Sequence, residues 1–214
     1  MAGIPTREEM EQVLTQRMGE NLQSRFKNAV VAVCGLGGLG SNIALSLARA
    51  GVGTLILIDF DRVDVSNLNR QQYKASQVGQ EKSAALADNL REAAPYITLR
   101  PVTARLTPEN LPALTGEADI ICEAFDAADQ KSMLAETVLT EMSKPVLVAA
   151  SGMAGLGSPN AIRTRKISRR FYLCGDGQSD VDRLGSLFAP RVMLCAAHQA
   201  LTVLRLLAGE TEID

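Results

Sequence analysis

The chain has 214 residues, 22 basic against 24 acidic side chains, and a formal charge of −2, a balance that argues against a nucleic-acid partner held by a broad basic face. Its length suits one substantial hydrophobic core, and we read 1–214 as a single domain, with a helical segment over 1–28 and a nucleotide-binding core over 29–214. No stretch reads as a membrane span or as the apolar core of a signal peptide, so a cytoplasmic protein is expected. Cys34, Cys122, Cys174 and Cys195 are scattered, and His198 is the sole histidine, so neither a disulfide framework nor a zinc site is expected.

Thr6 and Glu9 have capping-box spacing. Met10, Val13, Leu14 and Met18 then recur at helical intervals, predicting one amphipathic helix from about Arg7 to Lys27. Ala29–Cys34 is a short β-branched run that suits a strand buried on both faces, and it leads straight into Gly35, Gly37 and Gly40 at GxGxxG spacing. Glycines there, with Gly38 between them, let the backbone turn tightly and approach a phosphate, at which the following helix aims its N–H groups. That helix closes at Gly51. Thr54–Asp59 is the next parallel strand, and its terminal acid lies nineteen residues past Gly40, close to the roughly 20-residue spacing at which a carboxylate can hold ribose hydroxyls.

The continuation, FDRVDVSNLNRQQ, sets Asp61, Asn67, Arg70 and Gln71 just past the carboxyl end of that strand, where open α/β sheets bind ligands. A dehydrogenase has no evident use for a guanidinium and amides at that point, whereas a triphosphate needs donors along its oxygens. Lys82 follows near the start of the next helix. A cation at that end, which itself attracts anions, has reason to be holding one.

GLGGLGS, then DxDxVxxSNLxRQ, then Lys82 resembles the ThiF/MoeB family of adenylyltransferases that activate ubiquitin-like sulfur carriers, over roughly Arg17 to Leu207. The resemblance implies a doubly wound α/β Rossmann-like domain, mostly parallel with an antiparallel extension. It implies attack of a carrier's C-terminal Gly-Gly carboxylate on the α-phosphate of ATP with release of pyrophosphate, and a homodimer in which an N-terminal arginine, here Arg17 with Arg25 as fallback, reaches the partner's site. The short form without CxxC pairs is closer to the thiamine-pathway branch, so a ThiS-type carrier is expected, with a MoaD-type carrier or a carboxylate on modified tRNA as alternatives. An NAD-dependent oxidoreductase and a nonenzymatic carrier-docking subunit are rivals of other classes.

Farther along, Ile97–Val102 is a third strand, and Thr107–Pro108–Glu109 signals a short helix. Ala118–Cys122 is a fourth strand, and Asp126, just past it, has the position that the resemblance implies for a Mg²⁺ ligand. Asp126 or Asp129 could equally cap a helix over about Ala127–Met142. Here the sequence departs from the family pattern, with Ala127 and Lys131 where asparagine and arginine are usual. Pro145–Ala150 is a fifth strand, and Asn160–Ile167 an antiparallel one within a basic stretch that includes Arg163, Arg165, Lys166, Arg169 and Arg170. Cys174–Ala189 reads as a mobile loop. By the resemblance, Cys174 is the candidate for a covalent bond to the carrier. Pro190 opens a final apolar helix closed by Gly209.

Overall fold

A computed structural model describes residues 3–213. Seven strands form one sheet in the order β3-β2-β1-β4-β5-β7-β6. They are β1 (Val30–Cys34), β2 (Thr54–Ile58), β3 (Thr98–Val102), β4 (Ile120–Glu123), β5 (Val146–Ala150), β6 (Arg163–Ser168) and β7 (Phe171–Gly175). All neighbouring pairs are parallel except β6 with β7, whose antiparallel register is broken by a bulge between Lys166 and Ser168. This is the mostly parallel sheet with an antiparallel extension that the sequence predicts.

Alternation along each central strand builds two cores. Val31 and Val33 of β1 face α3 (Gly38–Arg49), α4 (Lys82–Ala93) and α8 (Ala189–Ala208) on one side. Ala32 and Cys34 face α5 (Leu111–Thr115) and α6 (Ala128–Thr140) on the other. Because β1 is buried on both faces, its sequence reads as a continuous apolar run rather than an alternating one. Chain order reverses beside β1, and the carboxyl ends of β1, β2 and β4 open a crevice there.

Four sequence expectations change. The predicted N-terminal helix is two, α1 (Arg7–Met18) and α2 (Glu20–Asn28), because Gly19 takes a positive φ of 84° that no helix continues through. The capping box does form, with the Glu9 N–H donating to Thr6 Oγ1 at 3.2 Å and the Thr6 N–H to Glu9 Oε2 at 2.7 Å. The short helix starts at Leu111 with Pro112 in its first turn, since Asn110 Oδ1 accepts the Thr107 N–H and holds the preceding residues in a turn. The expected loop from Cys174 begins instead as the end of β7, and it also contains a one-turn helix, α7 (Val181–Leu184). Finally, α8 has the length and apolarity of a membrane span, with a mean hydropathy of 1.3, yet one face packs on α3, β5 and β7.

Candidate functional site

Gly35 follows β1 with φ +88°, and a Cβ there would lie 2.8 Å from the Ala124 carbonyl, so only glycine lets the chain turn this close to the end of β4. The chain enters α3 at Gly37 without any side-chain cap, which leaves the first N–H groups of the helix directed into the crevice. Gly37 is open to this space, its nearest neighbour to an added Cβ being Gln71 Nε2 at 3.7 Å. Gly40 is different. It does not line the cavity, and a Cβ there would overlap the Gly35 carbonyl, so this glycine serves the packing of α3 on the loop rather than approach to a phosphate.

The crevice is a cavity of about 640 Å³. Gly35, Gly37, Gly38 and Asp59 line it, together with Asp61, Asn67, Arg70 and Gln71 of the polar segment after β2 and Lys82 of α4. Asp59 is 8% exposed, and its carboxylate accepts the Leu36 N–H at 2.6 Å and the Asp61 N–H at 2.8 Å. Burial raises its pKa, and the nearby Lys82 charge and those two N–H groups oppose the rise. The Lys82 ammonium, in the first turn of α4, pairs with Asp61 at 3.0 Å. The two ends of the Arg70 guanidinium donate to Asn67 Oδ1 at 2.8 Å and Asn69 Oδ1 at 2.9 Å, which fixes its plane. Gln71 is buried, and its Oε1 has no hydrogen-bond partner among the described residues, an orphan acceptor on the cavity wall.

Asp126 reaches the same cavity from the end of β4. The N-cap of α6 is Ala127, with no side-chain hydrogen bond, so neither Asp126 nor Asp129 caps that helix. The Asp126 carboxylate is exposed, and a hard cation with one or two protein ligands fits such a group.

Sequence reasoning missed the pair beneath it. Glu123, 1% exposed at the end of β4, accepts both contacts of the Lys131 ammonium at 3.0 and 3.1 Å, and the Phe125 N–H at 2.7 Å. Burial raises the Glu123 pKa against the opposing pull of Lys131. Also missed were Ser41 and Asn42. Their side chains bind the Gln72 N–H at 3.1 Å and Gln72 Nε2 at 2.7 Å, pinning the polar segment onto α3. A polar Ser-Asn pair between the glycine loop and the apolar run of the helix is the signal that could have found them.

Three candidates lie elsewhere. Arg17 is exposed at the end of α1 and does not line this cavity in its own chain. Arg25 donates to the Ala208 carbonyl at 2.7 Å and so serves the end of α8. Cys174 is fully buried in β7, paired with Ala150 on one side and Thr164 on the other. Burial pushes its thiol pKa up, which keeps it a thiol and opposes the nucleophile expected on a mobile loop.

Residues 10–214 match the ThiF family, and the chain belongs to it. Adenylyltransferase and sulfurtransferase uba4 of Aspergillus terreus is 39% identical over 143 residues, 66% of this chain but 29% of that protein, so this chain spans under a third of its length. Molybdopterin-synthase adenylyltransferase of Salmonella typhimurium is 34% identical over 192 residues, 87% of this chain and 76% of that protein. Among solved structures, tRNA N6-threonylcarbamoyladenosine dehydratase (TcdA) of E. coli in complex with AMP shares the fold, with a TM-score of 0.82 and 21% identity over 98% of this chain and 99% of that one.

Proposed function

We propose that the chain is an adenylyltransferase that uses ATP to activate the C-terminal carboxylate of a ubiquitin-like carrier protein. The observation that carries this reading is the convergence on one cavity of the glycine loop, buried Asp59, Arg70, Lys82 and Asp126. The names of relatives sharing the ThiF domain support it.

In this reading the start of α3 receives phosphate oxygens and Asp59 holds the ribose. Arg70 and Lys82 neutralise charge that builds on the polyphosphate, Asn67 orients Arg70, and Gln71 offers its unpartnered oxygen to the nucleotide. A carboxylate oxygen of the carrier attacks the α-phosphorus, the bond to the bridging oxygen breaks, and pyrophosphate leaves with the electron pair. The attacking group is already ionised at neutral pH, so no general base is needed; alignment and charge neutralisation suffice. Asp126 would hold Mg²⁺, which when bound supplies further neutralisation of the phosphates. In a symmetric homodimer Arg17 would act in the partner's cavity. The oxidoreductase rival leaves Asn67, Arg70 and Lys82 without a task.

The relatives named for molybdopterin synthase favour a MoaD-type carrier over the ThiS type expected from the sequence. Pyrophosphate–ATP exchange with Mg²⁺ and each purified carrier tests both points. Exchange dependent on one carrier and absent in Arg70→Ala supports the reading and names the carrier. ATP binding without exchange with either carrier overturns it in favour of the docking subunit or a tRNA-borne carboxylate.

A further inference from the structure

Arg191 lies in the first turn of α8, and its guanidinium faces inward. One arm, Nη2, meets Asp176 Oδ2 at 2.6 Å, and the other, Nη1, donates to the Gly157 and Ser158 carbonyls at 2.7 and 2.9 Å. The two side chains of the ion pair are only 7% and 11% exposed. The second oxygen of Asp176 accepts the N–H groups of Gln178 and Ser179 at 2.9 and 2.8 Å, and Ser179 Oγ accepts the Ala154 N–H at 3.0 Å. One side chain therefore ties together the stretch that follows β5 and the stretch that follows β7. The packing is tight: a Cβ on Gly152 would overlap Asp176 Oδ1, and one on Gly157 would lie 3.2 Å from Arg191 Nη2. Although burial raises the Asp176 pKa, the surrounding donors, Arg191 among them, outweigh it and hold the carboxyl at about 2.

These two stretches, Ser151–Ala154 and Gly177–Val181, form a wall of the cavity separate in sequence from the glycine loop and from the segment that carries Arg70 and Lys82. Neither holds a lysine or arginine, so this wall brings no cation to a polyphosphate, unlike the side that carries Arg70 and Lys82. It is made of glycine, serine, alanine and other uncharged residues apart from Asp180, a composition suited to a slim, uncharged extended peptide bound through backbone groups.

We propose that Arg191 is a positioning residue for the second substrate: by holding Asp176, Gly157 and Ser158 together it shapes the wall that receives the carboxylate-bearing peptide, without touching the nucleotide side. This rests on the adenylation reading.

The test compares the parent protein with Arg191→Met and Arg191→Lys. In Arg191→Met, the KM for the carrier rises by about tenfold or more, while ATP affinity and kcat stay within about twofold. Amide hydrogen exchange, read without carrier, accelerates in 151–158 and 176–181. Arg191→Lys keeps the charge facing Asp176 but loses the fork to the two carbonyls, and falls between. An unchanged carrier KM, unchanged exchange in both stretches, or an equal loss of ATP affinity overturns the proposal. A parent inactive with every carrier removes the adenylation reading and the substrate assigned to this wall; the carrier-free measurements then show separately whether Arg191 holds it.

Discussion

Lys82 and Asp61 form an ion pair of unequal depth: at a separation of 3.0 Å the lysine side chain is 7% exposed and the aspartate 50%. The ammonium is thus anchored inside the wall by its own backbone position at the start of α4, while the aspartate stays at the water's edge, where it aims the cation. The two residues should fail differently. In the adenylation reading, Lys82→Ala removes a charge proposed to act on the polyphosphate and should lower exchange by about 10²- to 10³-fold. Asp61→Asn leaves the charge and loosens its direction, so kcat should fall by about tenfold with ATP affinity little changed. Equal losses in the two variants, measured by steady-state exchange and calorimetric ATP binding, would show that Asp61 does more than orient the lysine.

The glycines of the loop separate into two tasks. Gly40→Ala places a methyl group into the Gly35 carbonyl and should cost several kcal/mol, at or above the usual ~1–3 kcal/mol of overpacking, because backbone rather than a movable side chain is in the way. Gly37→Ala meets only Gln71 Nε2 at 3.7 Å and should fold normally, yet bind ATP at least about tenfold more weakly if the methyl group occupies the approach proposed for the phosphate. Denaturant midpoints and ATP affinities, measured on both variants, separate the tasks.

What was legible in the sequence, and what was not, follows from the range of the interactions. The run from β1 through the glycine loop to Asp59 announces itself because each feature depends on near neighbours: β-branched residues, glycines at fixed offsets, an acid at the end of a strand. Arg191 meets Asp176 and the Gly157 and Ser158 carbonyls only once the sheet sets β5 and β7 side by side, and no local pattern encodes that; Lys131 lies close to Glu123 in sequence, but an acid ending an apolar strand does not announce its partner. The strand placement of Cys174 was hidden for a related reason. The GDGQSD that follows it has loop composition, whereas its own strand is defined by pairing with Ala150 of β5 and with Thr164 across the β6–β7 hairpin. The break at Gly19 was hidden by apolar spacing that continues on both sides of it.

Burial of Cys174 gives a direct chemical expectation. In the native protein at mild alkaline pH the thiol should resist iodoacetamide and become labelled only on unfolding, since the thiolate is the reacting form and burial disfavours it. Cys174→Ala should cost about 1–2 kcal/mol of stability and leave exchange unchanged. Rapid labelling of the native protein, or loss of exchange in the alanine variant, would restore Cys174 to the reaction.

His198 makes stability depend on pH in a defined direction. Its Nδ1 lies 3.0 Å from Thr164 Oγ1, and burial lowers its pKa from 6.5. Between the folded value and 6.5 the unfolded chain binds more protons than the folded one. The contribution is therefore complete above about pH 6.5 and is lost as pH falls through the folded value. Urea midpoints measured at about pH 7.5 and about pH 5 should fall less in His198→Gln than in the parent. An equal fall would assign the acid sensitivity to other groups.

The most direct measurement follows one phosphorus atom. The protein is incubated with Mg²⁺, a MoaD-type or ThiS-type carrier, and ATP radiolabelled at either the α or the γ phosphate. Label from the α position should appear on the carrier, be released by hydroxylamine as expected of an acyl adenylate, and be lost in Arg70→Ala, while γ label appears only in pyrophosphate. Label from the γ position on the carrier, or none from either position despite ATP binding, would contradict adenylation of a carrier carboxylate.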